Sequence, residues 1–542
     1  HLEGRLAALR MTHAGELARK YITGREMDRH NFRWSVVEGL FKHGDFRGSF
    51  GHPVYEGDLE VHSPVIFPAE RMRRLKEQKG SIGRDLTLGG RRVEIAKISV
   101  SPMVGVSGMS YPQLSAPSHL SLLYMHLKLA KDLGVRQLIN TGEGGTGMHL
   151  ALLEGNASKI KTALIEWNLA NAQFAGGSWD EAKLSAFVSD LMRARAETFA
   201  EFAPEDLARA QIVAQFGSAL NGVRGPGGGI DLDKLREVAA HPGVAMTQFK
   251  LKQAAKRGAK VDPRKVDAIV AALREIPRDK PFKSPELNPE MDDYESVAAL
   301  VLAGKIVTRK PVSLKFGIGS PSDLYAFLER LRDLGALPDH IQVDGRGSDF
   351  SPGSGNAPPG ANTSLPSGEA LIVLDAVLKK LGVRERVVVE ATGDILLPID
   401  AIEKLSLGAD MVSAARLWMG MGLGCAMVKT CANGNCPYGI ASKNSSLFGL
   451  SLDPRKIGPK GYAAAANWQK SFVQPLAEAA AEDWSLVRRS HGLAGDNRSL
   501  HVISNRKTIP LEGFYDLKYV AALLDGALTR EEVSRLVFGG RQ

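Results

Sequence analysis

Eight short runs rich in β-branched and apolar residues alternate with longer stretches of helical period between residues 94 and 416, and this alternation restricts the fold more than any other feature. The runs are EIAKISVSP (94–102), RQLIN (136–140), AQIVAQF (210–216), AMTQFKL (245–251), PVSLKF (311–316), HIQVDG (340–345), RVVVEATG (386–393) and ADMVSAAR (409–416). Between most of them lie amphipathic segments such as DLYAFLERLRDLG (323–335) and GEALIVLDAVLKKLG (368–382). Strands alternating with helical crossovers predict parallel α/β architecture. Eight of them predict a (β/α)8 TIM-type barrel with N-terminal and C-terminal extensions rather than a doubly wound sheet. On this reading residues 1–93 form an N-terminal cap region, 94–445 the barrel, and 446–542 an extension that packs outside it or binds a subunit.

All three cysteines, Cys425, Cys431 and Cys436, fall within twelve residues, in CAMVKTCANGNCPYG. A disulfide uses two of them and strands the third, and nothing else in the chain points to an oxidising compartment. A structural zinc site wants four Cys or His ligands, and the nearest histidines, His340 and His491, are far away in sequence. Three thiolates followed by Pro437 suit an iron–sulfur cluster, of three irons rather than four because no fourth cysteine exists. Three unligated thiols are the alternative.

No apolar run reaches the length of a membrane span; ALVLAGKIV is interrupted by Lys305. The first residues mix Glu3 and Glu16 with bases and contain no long apolar segment, so no secretory signal is expected and the cytoplasm is the expected compartment. The sequence opens on His1 rather than Met, which leaves room for residues before it. The net charge of +9 is spread without a dominant block, and aromatic residues make up only 6%. Without a recognisable nucleic-acid motif, the excess fits an acidic protein partner or anionic substrates and cofactors better than nucleic acid.

Several motifs sit at the ends of the expected strands. INTGEGGTG (139–147) contains G-x-G-x-x-G at Gly142, Gly144 and Gly147, but no acidic residue about twenty positions on closes a dinucleotide site. It reads as a glycine turn presenting Glu143 toward a pocket, with a functionless surface turn as the alternative. Gly393 and Asp394, in EATGDI, and Ala415 and Arg416, in SAARLWMG, end the seventh and eighth strands, where barrels commonly bind phosphate. Lys315 lies inside an apolar strand, where a lysine needs a partner such as the N1–O2 edge of a flavin. Lys250, Gln253 and Lys256 follow the fourth strand and suit a dicarboxylate, an exposed basic loop being the alternative. FSPGSGNAPPGANTSLPS (350–367) is long enough to be an active-site loop after the sixth strand.

In this order, SGMSYPQLSAPSHLSL (107–122), NTGEGG (140–145), FKLKQAAKRG (249–258), PVSLKFGIGS (311–320), HIQVDG (340–345), GADMVSAARLWMGMGLGCAMVKTC (408–431) and NGNCPYG (433–439) resemble the FMN- and iron–sulfur-containing synthase domain of glutamate synthases, over roughly residues 90–445. The resemblance implies an FMN-holding barrel with a 3Fe-4S cluster on Cys425, Cys431 and Cys436. It implies electrons passing from a donor through the cluster to FMN, which reduces the imine of 2-oxoglutarate and ammonia to glutamate. It places Ser107, Ser110, Gln215, Lys315, Asp344, Gly345, Gly393, Asp394, Ala415 and Arg416 at the cofactor. Glu143, Lys250, Gln253 and Lys256 fall at the substrate, with Glu143 and Lys315 in catalytic roles.

The chain departs from that pattern on the substrate side. Gln215 stands where the family has an arginine; DGRGSDFSPGSGNAPPG (344–360) replaces a glycine-rich segment after the sixth strand, and AKVDPRK (259–265) replaces another after the fourth. The family's SPP-H-type segment reads KSPELNPEMDD (283–293). The sequence given shows neither a glutamine-hydrolysing module nor a pyridine-nucleotide domain. Implied partners are therefore a 2-oxo acid with ammonia or an amine, an electron donor such as ferredoxin or a reductase subunit, a glutaminase or amine-supplying subunit, and further copies in an oligomer. Two other readings follow from the departures: an amine-transferring subunit like the large subunit of methylamine–glutamate N-methyltransferase, and a non-catalytic electron-relay subunit.

Overall fold

A computed structural model describes the chain mainly within residues 104–467, with breaks at 110–113, 134–136, 162–180, 252–259, 284–290, 345–366, 426–435 and 442–451 and shorter ones elsewhere; outside that range it describes the backbone of short strands at 65–66, 86–88, 98–100, 501–504 and 507–510. Eight parallel strands close into a barrel. They are β1 (Val104–Val106), β2 (Leu138–Asn140), β3 (Gln211–Phe216), β4 (Val244–Lys250), β5 (Val312–Phe316), β6 (His340–Asp344), β7 (Val388–Thr392) and β8 (Met411–Ala414). Each pairs with the next in sequence, and β8 returns to β1 through Val412↔Val104 and Ala414↔Val106.

Seven strands fall on the runs expected from the sequence, and the first does not. Ile98–Val100 lies outside the barrel and pairs antiparallel with Leu86–Leu88. The barrel takes Val104–Val106 instead, and its middle position has room only for glycine. A Cβ on Gly105 would sit 2.9 Å from the Leu138 carbonyl oxygen, and the Trp418 indole donates to the Gly105 carbonyl at 2.8 Å.

The helices are α1 (Ala116–Leu133), α2 (Thr146–Glu154), α3 (Glu181–Thr198), α4 (Leu232–Ala240), α5 (Tyr294–Thr308), α6 (Pro321–Asp333) and α7 (Ser367–Lys380). Short acidic residues start two of them: Asp231 accepts from the N–H groups of Asp233 and Lys234, and Asp293 from that of Ser296, satisfying donors that the first turn leaves unpaired. A π-helical turn, Trp418–Gly422, follows β8 directly. Residues 454–467, beyond the barrel's expected limit, form a helix against α1; Tyr462 donates to Asp132 at 2.7 Å and Arg455 to Glu197 at 2.8 Å. The two extensions meet in one sheet, where Val65–Ile66 pairs antiparallel with His501–Ser504. Among the described residues no helix is long and apolar enough to cross a membrane.

Side chains alternate faces along a strand. One set, including Ile139, Ile212, Phe249, Leu314, Ile341, Val389 and Val412, joins the main apolar core beneath the helices. The other set faces the barrel axis, and there the strands carry two kinds of residue in layers. Leu138, Val213, Met246 and Met411 form a small separate apolar cluster, the floor. Two positions further on in each strand come Asn140, Gln215, Gln248 and Ser413, all buried and polar.

Candidate active site

The polar layer is joined across the barrel. Gln248 Oε1 accepts from Asn140 Nδ2 at 2.8 Å and Gln215 Nε2 at 2.6 Å, and Gln248 Nε2 donates to Ser313 Oγ at 2.9 Å. Ser313 Oγ meets His340 Nδ1 at 2.8 Å, and His340 Nε2 lies 3.3 Å from Glu390 Oε2. The same carboxylate oxygen accepts from Gln342 Nε2 at 2.6 Å, and Gln342 reaches Ser413 at 3.3 Å. Buried polar groups are tolerated when paired, and this belt pairs residues from β2 through β8.

Above the belt, at the C-terminal ends of the strands where barrel enzymes place their chemistry, lie the charged groups. Lys250 ends β4 and pairs with Glu143 at 2.9 Å, both side chains about nine-tenths buried. Glu143 is presented by the turn after β2, in which Gly142 and Gly144 adopt φ of 65° and 72° and the Gly142 N–H bonds to Asn140 Oδ1. The glycine pattern thus serves that turn. Gly217, just past β3, makes room for the glutamate: a Cβ there would lie 2.4 Å from Glu143 Cδ.

Lys315, 5% exposed on β5, is registered opposite Lys250 on one side and Gln342 on the other. Among the described residues its nearest carboxylate is Asp344, 3.9 Å away. Burial lowers the Lys315 pKa, the Asp344, Glu390 and Glu143 carboxylates oppose that, and Lys250 adds to it.

On the far side of the mouth, Gly393 ends β7 with φ 93° and open space where a Cβ would be, and Ala415 and Arg416 follow β8. The Ser107 N–H, at the end of β1, bonds to the Ala414 carbonyl at 3.1 Å. Just beyond the π-helical turn, the half-buried Cys425 donates its N–H to the Met419 carbonyl at 2.9 Å. Cys436 is buried, and the segment it opens is tied to the start of α1, since Ile440 O accepts from the Ser115 N–H at 2.8 Å and Ser118 Oγ at 3.0 Å. Neither thiol is in a disulfide. Ser110, Gln253, Lys256, Gly345, Asp394, Cys431 and the 350–366 part of the long loop lie outside the described residues.

The donor set fits an electron-rich anionic cofactor. A buried ammonium stands at one side of the mouth, and an open glycine backbone with an arginine beyond it stands at the other. The reduced, soft thiols of Cys425 and Cys436 fit an iron–sulfur ligand set. Sequence reading singled out the mouth but missed the belt of Asn140, Gln248, Ser313, His340, Gln342, Glu390 and Ser413. Its signal is a polar residue at every second position of strands that are otherwise apolar, as in Ser313–Lys315 and His340–Gln342–Asp344.

The sequence pattern described as the conserved region in glutamate synthase matches residues 91–457, more than half of the chain. Glutamate synthase large subunit-like protein YerD of Bacillus subtilis (strain 168) is 30% identical over 239 residues, 44% of this chain and 45% of that one. An archaeal glutamate synthase (NADPH) of Methanocaldococcus jannaschii is 29% identical over 237 residues, 43% and 44% of the two chains. The chloroplastic ferredoxin-dependent glutamate synthase of Spinacia oleracea is 29% identical over 209 residues, 37% of this chain and 12% of that one. The matched stretch spans less than half the length of each of these relatives.

Proposed function

Because the chain belongs to the glutamate synthase family, whose conserved region it carries across residues 91–457, we propose that it is a flavin- and iron–sulfur-dependent oxidoreductase that reduces the imine of a 2-oxo acid, 2-oxoglutarate with ammonia, to the amino acid. The observation that carries this reading is the pair of buried lysines, Lys250 and Lys315, registered side by side at the barrel mouth. Lys315, Ser107, Ser110, Gln215, Asp344, Gly345, Gly393, Asp394, Ala415 and Arg416 would hold FMN, and Cys425, Cys431 and Cys436 a 3Fe-4S cluster. When bound, the two groups supply hydride for the imine carbon and single electrons from a donor, respectively.

The chain's own residues bind and orient. Lys250, with Gln253 and Lys256 on the segment after it, offers cations to the oxo acid's carboxylates. Glu143 holds Lys250 in place and would relay to the substrate nitrogen the proton that it takes from the Lys250 ammonium beside it. Lys315 sets a positive charge where the reduced ring is electron-rich. Reducing equivalents would come from a ferredoxin-like or reductase partner, and ammonia from solution or a glutaminase subunit.

Gln215 favours a second reading on the substrate side. It is a neutral amide whose Nε2 is already given to Gln248. A site lacking an arginine there accommodates a different amine, such as methylamine, or keeps only electron relay. Flavin and iron content of freshly purified protein tests the shared part: FMN with protein-bound iron supports it, and absence of both ends it.

A further inference from the structure

We propose that the helix at 454–467 is part of the candidate iron–sulfur site: lying directly against the π-helical turn, it fixes where Cys425 is presented, with Gly461 as the positioning residue. The inference rests on the proposed cluster reading for its purpose, and on packing alone for its geometry.

The helix approaches through its smallest residues. Pro454, Gly458, Gly461 and Ala465 recur at the spacing of one helical face, and all are buried. Glycine is a poor helix former, so two on one buried face mark an approach too close for a side chain. Gly458 lies on α1, where a Cβ would come within 2.8 Å of Tyr124 Cδ1. One turn on, a Cβ at Gly461 would overlap the Gly422 carbonyl oxygen and sit 2.7 Å from Met125 Cε. Gly422 ends the π-helical turn, and a Cβ there would lie 2.9 Å from Met125 Sδ. Helix, turn and α1 thus meet around one methionine of α1, with the backbones of helix and turn in direct contact. Gly461 lies beyond the matched family region, which ends at residue 457, so the family pattern does not predict this contact.

The turn carries Cys425. The Leu423 N–H bonds back to the Trp418 and Met419 carbonyls at 3.2 Å, that of Gly424 to Gly420 at 3.0 Å, and that of Cys425 to Met419 at 2.9 Å. At its start the turn is pinned to β1 by the Trp418 indole on the Gly105 carbonyl, and to α1 by His126 edge-on to Trp418. At its end, beside Cys425, the supports are Met125 and the helix at 454–467. π-Helical turns are rare and concentrate at functional sites. The helix is anchored away from the turn by Tyr462 on Asp132 and Arg455 on Glu197. A backbone carbonyl cannot swing aside as a side chain would, so a methyl group at Gly461 must separate the helix from the turn.

The test compares G461A with the native full-length chain. In protein stripped of iron and still folded by circular dichroism, alkylation of Cys425 by iodoacetamide, located by mass spectrometry, should be several-fold faster in G461A. In protein as purified, G461A should hold less iron per FMN than the native chain. A Cys425 rate that is unchanged or lower overturns the proposal. Faster alkylation with native iron content also overturns it, since something else would then hold Cys425 for the cluster. Y462F, which loses the bond to Asp132 but keeps the Gly461 contact, should keep the native rate; a rise as large as in G461A would show that loosening the helix anywhere exposes the thiol, and would remove Gly461 from its role. Should G461A fail to fold, M125A opens a void between helix and turn and should raise the Cys425 rate in the same direction, an unchanged rate again overturning the proposal. Native protein without iron ends the cluster reading, and the thiol rates still decide the contact.

Discussion

Lys250 Nζ and Glu143 Oε1 lie 2.9 Å apart inside the barrel mouth although 107 residues separate them in sequence. The pair joins the end of β4 to the turn after β2, across β3, and both partners are almost out of water. Glu143→Gln would strand a buried ammonium, and removal of one partner of such a pair costs about 3–5 kcal/mol. Urea unfolding measures this; a loss well under 1 kcal/mol would show that the pair is solvated.

Gly217→Ala tests the same pair without touching either charge. The added Cβ falls 2.4 Å from Glu143 Cδ, so the glutamate must move. Overpacking of this kind costs about 1–3 kcal/mol. Combined with Glu143→Gln the loss should be less than additive, because the side chain that is displaced has already lost its partner.

Acid should destabilise the protein through two buried histidines on the outer side of the barrel. Burial lowers His126 to about 3, helped by His149 nearby. Burial lowers His149 to about 4, against the hydrogen bond that its Nδ1 makes with the Gly145 carbonyl. Between the ordinary imidazole value and these, the unfolded chain binds protons that the native state refuses. Stability is therefore full above about pH 6.5 and falls as the pH drops toward 4, by about 1.4 kcal/mol per unit for each ring. His126 packs edge-on against Trp418 with ring centroids 4.3 Å apart. His126→Gln should flatten the pH dependence between 6.5 and 4 by about half, relative to the native protein, whatever it does to stability at neutral pH.

Cys431→Ser should abolish protein-bound iron while leaving FMN in place. Iron and acid-labile sulfide assays, together with the electron paramagnetic resonance signal of the oxidised protein, measure it. Native iron content in this variant would remove Cys431 from the ligand set.

The strand count and most strand positions were legible because each strand's apolar run is local. β1 was not. Ile98–Val100 has the better strand composition, and the approach of the Leu138 carbonyl and the Trp418 indole to Gly105 in the equally short Val104–Val106 is visible only in the closed barrel. Lys315 was legible because a lysine among Leu314 and Phe316 is conspicuous. The Glu143–Lys250 pair and the belt were not: alternate polar positions mark single strands, but which of those side chains meet emerges only when closure brings β2 through β8 around a common axis. The cysteine cluster was legible as a count and a spacing, and the structure adds that Cys436 opens a segment anchored to α1, the helix that follows β1.

Anaerobic reoxidation of the reduced flavin reads imine reduction directly. Protein reduced with dithionite is mixed with 2-oxoglutarate and ammonia, and the oxidised flavin absorbance is followed while the amino acid is identified. Recovery of the absorbance with both reactants present, and with neither alone, is the predicted result; methylamine in place of ammonia distinguishes the second reading. Flavin that stays reduced with every pairing of a 2-oxo acid and an amine would contradict the account and leave the barrel as an electron relay.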